Sequence, residues 1–322
     1  MPRAHFGASL LQTSSDWDVL IAHARKLETQ GYDSLWGSDH MSTPSQYSGG
    51  EGGPAYVHGQ QPLLEVWSML AGVAALTERI ELGTNCSNIM FRNPAVAARQ
   101  IATVDRISGG RVVPGFGAGY ATDEFIKFGA PPWRQWQRVR ALSEALDIVR
   151  PLLAGELVTL EGTYFQAREA MCAPTPLRCP PPLLVGGASD TTLRATARHA
   201  TIWNNPPLYE GQLVQNLERL RGFCAEEQRD PDEITVSMRA RISIARTQAE
   251  AERGIRGMAE AINDVAAKAV EEHGIWGTPD RVCEKLDHYL GLGCTHFVID
   301  FYGGDRTESE ALFAEAVIPA FR

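Results

Sequence analysis

Between Arg79 and Tyr120 the chain reads RIELGTNCSNIMFRNPAVAARQIATVDRISGGRVVPGFGAGY, and this stretch admits few folds. A short apolar strand, Arg79 to Asn85, runs into a polar loop. A helix follows from Pro94 to about Ser108, and Gly109-Gly110 stop it. A second strand from Val112-Val113 onward breaks into G-x-G-x-G at Gly115, Gly117 and Gly119. This is a βαβ unit with backbone exposed at the carboxyl ends of both strands, the edge where barrel enzymes put their chemistry.

The same rhythm runs the length of the chain. Further strands are expected at His5–Leu11, Tyr32–Trp36, Leu183–Val185, Thr201–Trp203, Ile234–Ile244 and Thr295–Asp300. Helices are expected over 16–30, where Val19, Leu20, Ala24 and Leu27 fall at helical spacing, and over 63–77 and 135–153. Others run from Ser189 to His199, up to Glu227, over 248–272 and 278–290, and to near Pro319. Eight strands alternating with helices over 322 residues predict an α/β protein, a (β/α)8 TIM barrel forming one domain over 1–322. An open doubly wound sheet would carry its G-x-G-x-x-G at the first βα turn, and Phe6–Thr13 has nothing of the kind. Two insertions interrupt the rhythm, near 42–61 and 155–182. The first is rich in Gly, Pro, Ser and Tyr, including Tyr47 and Tyr56, and is long enough for a lid or binding loop. The second opens as a small hairpin over 157–165 and returns through an extended Pro-rich run, Pro174 to Pro182.

A net charge of −9 argues against a nucleic-acid partner, which needs a basic face. No apolar run reaches the roughly 18 residues of a membrane span, and the start lacks a signal-peptide pattern. Six cysteines are scattered with no C-x-x-C pair, which fits neither a disulfide framework nor a zinc site. The chain therefore reads as a cytoplasmic protein with reduced thiols.

Polar residues gather where strands end. Asp39-His40 closes the second strand, and a histidine at a barrel's carboxyl edge can move a proton beside a flat ring cofactor. A capping Asp and a loop His fit the residues alone equally well. Gly115, Gly117 and Gly119 let backbone come close to a ligand, although glycines also serve simple turns. Gly186-Gly187-Ala188-Ser189 opens a helix whose first turn includes Thr191 and Thr192, an anion site by its free N–H groups and dipole, or a tight turn with a Ser cap. Trp36 and Trp203 each end a strand and are expected to point toward the mouth as an apolar wall for a ring, although most tryptophans are core.

Four separated segments, GYDSLWGSDH, the stretch RIELGT to GFGAGY, LLVGGASDTTLRATARHATIWNNP and GTPDRVCEKLDHYLGLGCTHFVIDF, resemble the luciferase-like flavin and deazaflavin oxidoreductases over nearly the whole chain. They are most similar to the branch that uses coenzyme F420. The resemblance implies a homodimeric barrel with the deazaflavin across the carboxyl ends of the strands and hydride transfer between its C5 and a small-molecule substrate. The alternative is an FMN-dependent monooxygenase using reduced flavin and molecular oxygen. The resemblance also implies a cofactor contact for Asp39, an acid–base role for His40, and a non-proline cis peptide at Asn85–Cys86 behind the ring, next to Thr84. It extends the cofactor cradle to Gly117, Ala118, Gly119, Gly186, Gly187 and Ala188, with Arg194 and Arg198 near the tail. Trp36, Tyr120 and Trp203 are left to the substrate. Tyr120 stands where the family's sugar-phosphate dehydrogenases carry a glutamate acid, so a sugar phosphate is not the expected substrate.

Overall fold

The computed structural model describes residues 3–14, 16–42, 63–205, 210–260, 274–302 and 305–322. The insertion at 42–61, apart from Ser42, and the later part of the helix expected over 248–272 lie outside them.

All eight expected strands are present, as His5–Ser9, Ser34–Gly37, Glu81–Thr84, Val112–Gly117, Leu184–Gly186, Ile202–Asn205, Thr235–Ile244 and Cys294–Phe301, the fourth interrupted at Pro114. Each pairs in parallel with the next, and the eighth pairs with the first. The ring closes between the third and fourth strands in two steps. Leu82 and Gly83 pair with Val112 and Val113, and beyond them Ser87 and Asn88 pair with Phe116 and Gly117. Pro114, which has no N–H, interrupts the ladder. There the Thr84 hydroxyl donates to the Gly115 carbonyl and accepts from the Gly115 N–H, both at 2.9 Å. A short extra strand, Ile275–Gly277, flanks the seventh.

Parallel strands buried on both faces divide their side chains between two cores. Trp36, Val113, Leu184, Ile202 and Val298 fill the barrel interior. Leu35, Leu82, Val112, Val185, Trp203, Phe297 and Ile299 point outward into the layer beneath the helices. The helices follow the caps in the sequence. Asp16 accepts from the N–H groups of Asp18 and Val19 to start Trp17–Thr29, Asn93 with Pro94 behind it starts Pro94–Ser108, and Asp305 caps Arg306–Ala316. In the second insertion, strands Val158–Glu161 and Gln166–Ala170 pair antiparallel, a longer hairpin than expected. Glu144 holds its turn by accepting from the N–H groups of Thr163, Tyr164 and Phe165.

The base of the barrel is polar. His5 and His296 stack with ring centroids 4.4 Å apart. His5 Nε2 and Trp36 Nε1 both meet Ser34 Oγ, at 2.9 and 2.7 Å, and His296 Nδ1 meets Ser237 Oγ at 2.8 Å. Burial pushes His296 well below the usual histidine range, and the neighbouring His5 adds to it.

Candidate active site

At the carboxyl edge, three side chains from distant positions form a line. His40 follows the second strand, and its Nδ1 lies 3.0 Å from Glu124 Oε2. Its Nε2 lies 3.0 Å from the hydroxyl of Tyr120, whose ring meets the imidazole edge-on. The Glu124 side chain is fully buried and His40 is 19% exposed, while Tyr120 opens to solvent at 39%. The second carboxylate oxygen of Glu124 accepts from the backbone N–H groups of Met41 and Ser42, the latter at 2.9 Å. A carboxylate that only accepts fixes a hydrogen on Nδ1, and in the neutral imidazole Nε2 then accepts from the Tyr120 O–H. Glu124 reaches this place because Thr122–Lys127 forms a short helix with acidic residues in its first turn. The spacing of Tyr120 and Glu124, four residues apart just past the glycine strand, was the signal available for it.

Asp39, next to His40, is spent on the protein. Arg92 binds both of its carboxylate oxygens, one through Nη2 at 3.1 Å, and the Asn88 N–H donates to it at 2.8 Å. Arg92 also pairs with Glu65 Oε1 at 2.9 Å. Burial pushes the Asp39 carboxyl up, and Arg92 pulls it back. The carboxylate expected to meet a cofactor instead ties the second strand to the loop after the third.

That loop contains a cis peptide at Asn85–Cys86. Thr84 is buried and occupied with Gly115, whereas the Asn85 side-chain nitrogen is buried with no hydrogen-bond partner. Burial pushes the Cys86 thiol up to about 12, so it sits there as a neutral group. The glycines pack around it. A Cβ on Gly186 would come within 2.7 Å of Cys86 Sγ, and one on Gly117 within 3.2 Å of its Cβ. Gly119 has φ +67, and a Cβ there would meet Asn88 and Phe125 at 2.7 Å. Ala118 joins the two glycines at the end of the fourth strand and is partly buried. The absent side chains thus let Cys86, Asn88 and Phe125 pack against the ends of the fourth and fifth strands, beside the unpaired Asn85 nitrogen.

Past Gly186, Gly187 adopts φ +127 and its carbonyl accepts from Trp203 Nε1 at 2.8 Å. Ala188 is partly buried, and Ser189 caps the helix Asp190–His199 by accepting from the Thr192 N–H. Arg194 and Arg198, expected near a cofactor tail, form ion pairs with Glu226 and Glu227 at the end of the neighbouring helix. The two tryptophans also depart from expectation. Trp36 lies inside the barrel with its indole bonded to Ser34, and Trp203 lies in the outer layer, so neither lines the mouth. The reason is side-chain alternation: a strand buried on both faces gives no sequence cue to which core a tryptophan enters.

Two arginines of the seventh strand went unnoticed in the sequence. Arg239 Nε donates to Asp300 at 2.5 Å, and Ser9 Oγ donates to the other Asp300 oxygen at 2.5 Å. The pattern Ser237-Met238-Arg239-Ala240-Arg241, polar at every second position in a core strand, was the cue.

With this geometry in place, the likenesses to known proteins are informative. The chain is 27% identical to an F420-dependent glucose-6-phosphate dehydrogenase of Intrasporangium calvum, covering 94% of both chains. Its fold matches the coenzyme F420 dependent tetrahydromethanopterin reductase of Methanopyrus kandleri with a TM-score of 0.79 at 22% identity, over 99% of this chain and 100% of that one. A monooxygenase of Streptomyces bottropensis superposes with a TM-score of 0.78 at 25% identity, over 99% and 100% of the two chains. The model of the family described as luciferase-like monooxygenase matches residues 3–259, and the chain belongs to that family.

Proposed function

We propose that this protein is a coenzyme F420-dependent oxidoreductase that moves a hydride between the deazaflavin and a small organic substrate, with His40 and Tyr120 handling the accompanying proton. The observation that carries the reading is the line from Glu124 through His40 to Tyr120, a residue 39% exposed. Similarity to F420-dependent dehydrogenases over nearly the full chain supports the cofactor. The unpaired Asn85 side-chain nitrogen suits a flat ring with carbonyl edges. The start of the helix Asp190–His199 suits the cofactor's phosphate.

Bound F420 supplies a hydride donor or acceptor at C5. The protein's own part is the proton. An alcohol oxygen sheds one as its carbon loses hydride, and a carbonyl oxygen gains one in reverse. Tyr120 exchanges it with the substrate oxygen and His40 Nε2 exchanges it with Tyr120, while Glu124 stabilises the imidazolium that results. The relative from Intrasporangium calvum named above is a glucose-6-phosphate dehydrogenase. Tyr120 in place of the glutamate acid of such dehydrogenases argues for a different substrate here. The same reading includes a cytoplasmic homodimer, which sedimentation of the purified chain checks.

Likeness to a monooxygenase at 25% identity favours a second reading, an FMN-dependent monooxygenase. Fluorescence titration of the purified chain with F420 and with FMN separates the two. Micromolar binding of F420 is expected. Binding of FMN with none of the deazaflavin would overturn the first reading.

A further inference from the structure

On the seventh strand, alternation puts Ser237, Arg239 and Arg241 on one side. That side faces the barrel interior, because Ser237 meets His296 there and Arg239 meets Asp300. Arg241 stands two residues nearer the carboxyl edge, about 6–7 Å further along the strand. The Asp300 carboxylate beside it is taken, one oxygen by Ser9 and the other by Arg239. Arg241 Nε is buried with no hydrogen-bond partner, and among the described residues no carboxylate forms an ion pair with Arg241. Two guanidiniums thus face one carboxylate. A guanidinium keeps its charge, so one left partly buried and unpaired costs stability until an anion joins it.

The position relates this charge to the proton line. In the closed ring, the seventh strand lies three strands from the second by one route and three from the fourth by the other. His40 follows the second strand and Tyr120 follows the fourth. Arg241 and the proton line therefore stand on opposite walls of one mouth. The net charge of −9 is no obstacle, since local fields override it at short range.

We propose that Arg241 seats an anionic arm of the substrate, a carboxylate or a phosphate, while the carbon that exchanges hydride lies toward Tyr120 and His40. The reacting end of this assignment rests on the F420 reading, but the anion seat does not. The cofactor's own phosphate is the competing occupant, and the dipole at the start of Asp190–His199 suits it.

Calorimetric titration of the full chain, free and loaded with F420, with inorganic phosphate and with acetate tests the assignment. The loaded wild type is expected to bind one of the two, and the stronger identifies the arm. Arg241→Gln should weaken that binding about tenfold or more, Arg241→Lys should largely keep it, and all three should bind F420 alike. The assignment is overturned by equal anion affinity in Arg241→Gln, or by no anion binding in the wild type. It is also overturned if F420 displaces the anion and Arg241→Gln binds F420 more weakly, which would give the residue to the cofactor. A chain that takes no F420 but shows anion binding dependent on Arg241 would sink the cofactor reading and leave the seat standing.

Discussion

His40 Nδ1 lies 3.0 Å from a carboxylate oxygen of Glu124, a residue 84 positions away whose side chain is fully buried. The contact gives the imidazole one orientation and one tautomer, and so turns a loop histidine into a directed acceptor for the Tyr120 hydroxyl.

Removing the imidazole should stop proton exchange without emptying the mouth. His40→Ala is expected to lower F420 turnover about 10²-fold or more, with F420 affinity changed little. Stopped-flow absorbance of the deazaflavin with an active substrate gives the rate. An unchanged rate would remove His40 from the chemistry.

Glu124→Gln keeps an acceptor for the Met41 and Ser42 N–H groups. Its amide nitrogen would then donate to Nδ1, moving the imidazole hydrogen to Nε2 and reversing the bond with Tyr120. The expected result is a lower kcat with little change in KM and a displaced pH profile. A loss confined to thermal stability would leave Glu124 a loop anchor only.

Arg92 neutralises a carboxylate that is almost completely buried, since the Asp39 side chain is 1% exposed. Arg92→Leu leaves that charge alone, and a cost of about 3–5 kcal/mol is expected in urea unfolding. Adding Asp39→Asn should recover much of it. No recovery in the double variant would mean that the pair is not what the single variant broke.

Burial holds the Cys86 thiol up to about 12. At pH 8 only about one molecule in 10⁴ then carries the reactive thiolate. Iodoacetamide followed by mass spectrometry should label the exposed Cys179 and leave Cys86 unmodified. Rapid labelling of Cys86 in the folded chain would contradict its neutral, buried state.

Burial lowers both stacked histidines at the barrel base, His296 the further, while Asp33 and Glu81 partly oppose the shift at His5. Unfolded, each has its ordinary value near 6.5. Below that pH the unfolded chain takes up protons that the folded one refuses, so stability is present above about 6.5 and falls beneath it. The slope approaches about 1.4 kcal/mol per pH unit for each group. Urea unfolding at pH 7.5 and 5.5 should show this fall, and His296→Gln should flatten it. An equally steep fall in the variant would assign the acid sensitivity elsewhere.

The repeating strand–helix order was legible in the sequence because each strand of a parallel barrel is an apolar run followed by its own helix and cap. The glycines of Gly115–Gly119 and Gly186-Gly187 likewise marked where the strands end, since backbone that must approach its surroundings closely needs them. Position at the mouth was therefore readable for His40, Asn85, Cys86 and Tyr120. Direction was not. Trp36 and Trp203 look alike in the sequence, yet one fills the barrel and the other the outer layer, because strands buried on both faces carry no polar face to set their register. Pairing was hidden as well. Asp39 is taken by Arg92, His40 by Glu124 and Asp300 by Arg239, and Arg241 is left without an ion pair among the described residues. Local sequence determined where each polar group would surface, because that follows from strand ends and turns. Only closure of the barrel, which brings distant strands to one mouth, decided which charges meet.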